Sequence, residues 1–87
     1  MGRREREKPE RLAEKLLQVR LALDLSQTEI VKHMSLAERL NRDDVSKYER
    51  GVREPSLPTL LRYARLARIS TDVLIDDEID LPAKLKK

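Results

Sequence analysis

Cysteine is absent from these 87 residues, which excludes disulfides and thiolate-held metals and leaves the redox compartment undetermined. Histidine occurs once, as His33. A metal ion needs more ligands than that, so no metal is expected and His33 reads as an ordinary surface residue. Phenylalanine and tryptophan are also missing. The core must therefore be built from Leu, Ile, Val and Ala, a set that favours helices over sheets. No apolar run approaches a membrane span or a signal-peptide core, so the expectation is a soluble, cytoplasmic chain with no membrane partner. One small domain has no room for a second core or a sizeable buried cavity. No set of nucleophile, base and pocket is present either. Neither an enzyme nor a cofactor is expected.

Charge is what the chain has in quantity. Charged residues make up 40% and apolar residues 39%, with a formal net charge of +3. That total conceals an asymmetry. Residues 72–80 carry five acids and no base, whereas residues 1–71 hold 16 bases against 11 acids. A basic body favours a polyanionic partner through phosphate contacts. The acids at Asp76–Asp80 lack the glycine and spacing of a calcium loop and read as a solvated tail. Residues 1–8 are charged and apolar-free, an arm whose Arg3 and Arg4 could reach a DNA groove or its phosphates. A purely solvated arm is the alternative, because Glu5 and Glu7 offset the charge.

Periodicity gives an all-α chain of five short helices. The first spans about Pro9–Leu23, with Leu12, Leu16, Val19 and Leu23 at helical spacing. The second opens with Ser26 as N-cap and Glu29 completing a capping box, and turns Ile30 and Met34 inward. Ser35–Leu40 either extends it by a turn or breaks at Ser35 and restarts. The third covers Arg42–Arg50. The fourth covers Leu57–Arg68, capped by Ser56, with Leu60, Leu61, Ala64 and Ala67 inward. The fifth, Thr71–Ile75, is capped by Ser70. The expected organisation is an arm at 1–8, a helical domain at 9–76 and a tail at 77–87.

The stretch Asn41–Gly51 is the one the rest is arranged to present, by its chemistry. Asn41 is an N-cap, and Asp43 and Asp44 suit the positive end of the helix dipole. Gly51 stands where helices end in a left-handed residue. Val45 and Tyr48 share the inward face. Arg42, Asp43, Ser46 and Lys47 are left outward near the N-terminal end, as reading base edges in a major groove requires. Arg42 suits a guanine, and Asp43 suits a cytosine amino group or, alternatively, only caps the helix.

Three segments in order carry a family resemblance: Leu25-Ser26-Gln27-Thr28-Glu29-Ile30, Val45 through Gly51, and Arg53-x-Pro55-Ser56-Leu57-Pro58-Thr59-Leu60-Leu61. Together they resemble the Cro/cI-type (XRE-family) helix-turn-helix regulators. The resemblance implies a lambda-repressor-like domain, a double-stranded DNA partner and a homodimer on a near-palindromic operator. It implies a regulator of the repressor kind in a bacterial or phage nucleoid. It places Arg42, Asp43 and Lys47 at bases, with Ser46 beside them on the outward face, and Gln27 and Arg53 at phosphates; Arg50 is expected to join the phosphate contacts. It makes Arg20 and Glu49 a structural ion pair between the first and third helices.

The chain departs from that pattern in two places. Asp24 replaces a helix-ending glycine. Gln27 and Glu49 stand 22 residues apart, about four more than in the family, or close to one helical turn; this lengthens the connection between the second and third helices. Leu74, Ile75, Ile79 and Leu81 are left over as apolar material for a dimer interface. A competing reading is an adaptor or antitoxin-like module that uses the same fold on a protein partner. The balance of four bases and four acids in residues 42–54 favours that competitor.

Overall fold

The computed structural model describes residues 9–85. The arm positions Arg3 and Arg4 lie outside the described residues. Five helices follow in order: α1 (Leu12–Ala22), α2 (Gln27–His33), α3 (Arg42–Glu49), α4 (Leu57–Ala67) and α5 (Thr71–Ile75). Among the described residues there is no strand, and no helix is long and apolar enough to cross a membrane.

α1 is the central rod, packing against α3, α4 and α5. Its Leu12, Leu16, Val19 and Leu23 are buried together with Ile30, Met34, Val45, Tyr48, Leu60 and Leu74. Leu61 is a correction to the sequence reading: it is 41% exposed, while Tyr63 is wholly buried in its place. The wide apolar face of α4 is centred on Leu60, Ala64 and Ala67, and Tyr63 lies closer to that centre than Leu61. Burial pushes the Tyr63 phenol well above its ordinary pKa, with the Glu49 carboxylate adding to the effect.

The scarcity of glycine shapes the helix ends. α1, α2, α3 and α4 all close through a left-handed residue: Asp24, Ser35, Gly51 and Arg68, with φ of 63°, 60°, 73° and 60°. Each closure is a paired Schellman arrangement. After α3, for example, the Gly51 N–H donates to the Tyr48 carbonyl at 3.2 Å and the Val52 N–H to the Lys47 carbonyl at 3.0 Å. Three of the four positions are held by residues with a Cβ, at a cost of about 1–2 kcal/mol each.

Ser35 settles the fate of the lengthened connection. α2 ends at His33 and does not gain a turn. Nor does Ser35–Leu40 restart as a helix. The Leu36 N–H donates back to the Val31 carbonyl, and the Arg39 and Leu40 N–H groups donate to the Leu36 carbonyl, making a compact turn. The Leu36 side chain is buried in the core. Burying that leucine is worth about 1.5–3 kcal/mol, which outweighs the helical preference of SLAERL, because propensity differences among ordinary residues are only about 0–0.7 kcal/mol each.

The ends of the domain are tied to each other. α1 starts at Leu12 rather than Pro9, and its cap residue Arg11 has no side-chain cap bond. Asp77 instead anchors the two residues before the helix: its carboxylate accepts from the Glu10 N–H at 2.9 Å and the Arg11 N–H at 3.0 Å. Those two bonds hold its pKa below the usual aspartate value. The Arg11 guanidinium also donates to the Asp77 carbonyl at 2.7 Å and to Asp80 at 2.9 Å. Lys15 is fully buried on α1. Its ammonium donates to the carbonyls of Val73, Asp76 and Ile79 at 2.8, 2.9 and 2.6 Å, which uses all three of its protons. Asp77 is therefore tied to the start of α1 rather than free in solvent, whereas Asp80, with 83% of its side chain exposed, meets Arg11 at the surface. Ser70 stands before α5 but makes no side-chain cap bond.

Candidate nucleic-acid interface

α3 owes its start to Asn41. The Asn41 Oδ1 accepts from the Asp43 and Asp44 N–H groups at 2.9 and 3.2 Å, and the Asp44 carboxylate accepts from the Asn41 N–H at 2.9 Å. This is a reciprocal capping box. Asp44 also accepts from Arg53 at 2.8 Å, so it fixes both the helix start and the loop after the helix. Capping is what Asp44 does here. The Asp43 side chain, by contrast, projects into solvent with no partner among the described residues.

The inward face of α3 is Val45 and Tyr48, both buried. Beside them lies a charged lock joining three helices. The Glu49 carboxylate accepts from Arg20 Nε at 2.7 Å, Arg20 Nη2 at 3.0 Å and Gln27 Nε2 at 3.1 Å. Arg20 Nη1 additionally donates to the Leu25 carbonyl at 2.9 Å, in the turn between α1 and α2. Side-chain exposure is only 5% for Glu49 and 14% for Arg20. The hydrogen bond to Glu49 raises the Arg20 pKa further, against the opposing effect of burial. The lock joins α1, α2 and α3 at one carboxylate.

The residues named from sequence fall into two groups. Arg42, Asp43 and Lys47 are exposed on α3 and their side chains have no partner among the described residues. The second group is already engaged within the chain. Ser46 is half-buried and accepts from Arg50 Nε at 3.2 Å. Arg53 is held by Asp44, and Gln27 by Glu49. One proton of the Gln27 amide and several on each arginine stay available to an outside acceptor. Leu74 is wholly buried within this chain and Leu81 is partly buried against its core, whereas Ile75 and Ile79 are 40% and 37% exposed.

Lys15, Asp77 and Arg62 escaped the sequence reading. The first two close the domain. Arg62 on α4 donates to the Met34 carbonyl at the end of α2, at 2.7 Å. Its partner lies 28 residues away, and no local spacing signals such a bond. The described residues contain no cluster of three or more side chains able to hold a metal ion.

Comparisons with known proteins agree with this architecture. A family model described as helix-turn-helix (HTH_3) matches residues 16–74, well over half of the chain. Among solved structures, the chain resembles the P22 c2 repressor protein in complex with a synthetic operator, with a TM-score of 0.66 and 23% identity. The likeness covers 76% of this chain and 94% of that one. No curated protein matches the sequence.

Proposed function

We propose that this chain, which belongs to the Cro/cI-type (XRE-family) helix-turn-helix regulators, is a repressor that binds a near-palindromic operator as a homodimer. DNA binding through the helix-turn-helix is the family's activity; this is a family of regulators and not of enzymes. The finer reading is that α3 enters the major groove and reads bases with Arg42, Asp43, Ser46 and Lys47.

One observation carries it. α3 holds Arg42, Asp43 and Lys47 outward and unpaired along its length, while its C-terminal end is fixed by the Arg20–Glu49–Gln27 lock. Unpaired donors and an acceptor on a rigid helix are what base edges in the major groove recognise. Gln27, Arg50 and Arg53 then supply phosphate contacts that set the register. Arg3 and Arg4 in the arm are assigned to the same backbone role. The dimer reading is supported by Ile75 and Ile79, which present apolar surface beside the buried Leu74.

Selection of random duplex DNA at physiological salt, with an Arg42→Ala/Lys47→Ala variant alongside, tests this reading. The expected result is a two-fold-symmetric motif that the native protein recovers and the variant does not. A native protein that enriches no sequence sinks it, and a protein partner captured with no selective DNA binding favours the adaptor.

A further inference from the structure

A helix lying in the major groove, about 12 Å wide, has a sugar-phosphate strand on each flank. At 100° per residue, Glu49 of α3 faces one flank, where it meets Gln27 of α2. Asp44 and Tyr48 face the other, where Arg53 is held against Asp44. Beside this second flank the structure opens a cleft of about 400 Å³, lined by Leu36, Arg39, Tyr48, Arg53, Glu54 and Arg62. Its far wall is the turn that lengthens the α2–α3 connection.

Three arginines converge on this cleft from three separate segments. Arg39 comes from the turn, is exposed, and has no partner among the described residues. Arg62 comes from α4 and is steadied by its bond to the Met34 carbonyl at 2.7 Å. That bond uses one of five guanidinium protons and leaves the others free. Arg39 and Arg62 also share the lining of the adjoining cleft on the outer side of the turn. Glu54 is the acid on the rim, so the cationic charge is in excess. Tyr48 is 4% exposed, and its hydroxyl has no bond within the described chain and is not sealed in the core.

We propose that Arg39 and Arg62, together with Arg53, form a second phosphate-binding wall, built by the lengthened turn, that grips the DNA strand opposite the one met by Gln27. The proposal rests on the DNA-binding reading above. The extra residues then act as a backbone clamp and carry no sequence information, because phosphate contacts position and do not specify. Arg62 is in addition a positioning residue, tying the end of α2 to α4.

The test is fluorescence anisotropy on a labelled duplex of mixed sequence, titrated from about 50 to 200 mM salt. The native protein is compared with Arg39→Ala, with Arg39→Ala/Arg62→Ala, and with Arg65→Ala, an exposed α4 arginine away from the cleft. A substitution that frees one phosphate from its arginine should reduce the slope of log affinity against log salt by about 0.9. The expected reductions are thus about 0.9 for Arg39→Ala, about 1.8 for the double variant, and none for Arg65→Ala. Arg39→Ala breaks no bond in the free protein, so its result does not depend on the stability of the double variant. Salt-dependent binding with an unchanged slope for Arg39→Ala overturns the clamp and leaves the DNA-binding reading standing. Native protein that shows no salt-dependent binding overturns both.

Discussion

Removing Glu49 tests how α3 is held. Glu49→Leu strips the acceptor from both Arg20 bonds and from Gln27. It leaves a guanidinium of 14% side-chain exposure without its counter-charge. Breaking one side of a buried pair costs about 3–5 kcal/mol, and the residual exposure of Arg20 points to about 3. Arg20→Met has a similar cost, since it strands the Glu49 carboxylate and releases the Leu25 carbonyl. The double variant removes both charges at once. What remains is the loss of the Leu25 and Gln27 bonds, about 1 kcal/mol each, with some strain from repacking, for a sum of about 3. Urea denaturation of the four proteins closes the cycle, with an expected coupling of about 2–3 kcal/mol. A domain of this size is stable by about 4–13 kcal/mol, so either single variant is visibly weakened. Additive effects, with the double variant near 6 kcal/mol, refute the lock and leave α1, α2 and α3 joined by apolar packing alone.

Three further outcomes follow from the fold. Lys15→Met leaves three carbonyls without their donor; it is expected to cost about 1–3 kcal/mol and to speed amide exchange in residues 76–81, and unchanged exchange contradicts the clamp on α1. Arg68→Gly relieves a left-handed residue that carries a Cβ, so thermal melting should show a gain of about 1 kcal/mol, or roughly 4–8 °C; a loss means the arginine side chain is needed there. Asp77 has a lowered folded pKa because it accepts from the Glu10 and Arg11 N–H groups. Its contribution is therefore complete above the unfolded aspartate value of about 3.9 and is lost as pH falls through the lower folded value. The stability gap between native protein and Asp77→Asn should stay constant from neutral pH to mildly acidic pH and close below it, and a gap that persists at the lowest pH refutes this role of the Asp77 carboxylate.

The local chemistry of the site was legible in the chain because its signals are short-range. Asn41 before the third helix, Ser26 three residues before Glu29, and Gly51 after the third helix are recurring caps, and each takes the form expected; the return bond from Asp44 to Asn41 was added by the structure. Arg20 and Glu49 were legible through the family resemblance, and the structure brings them together. Lys15 was not legible, because its partners are backbone carbonyls 58 to 64 residues away that carry no residue-type signal. Asp77 was hidden for the same reason, and the run of acids around it reads as solvated until the fold brings α1 beside it. Ser35–Leu40 misled in another way. Its composition favours helix, but the decision rested on where Leu36 could be buried, which only the packed core determines.

The exposed half of α3 is expected above all to read bases from the major groove. Dimethyl sulfate interference on the duplex recovered by selection measures this directly, since the reagent marks guanine N7 in the major groove and adenine N3 in the minor groove. Interference is expected at guanine N7 in each half-site, with the signal at one guanine abolished in Arg42→Ala together with about 1–3 kcal/mol of discrimination. Interference confined to adenine N3, or a guanine pattern that Arg42→Ala leaves intact, contradicts base reading by this helix.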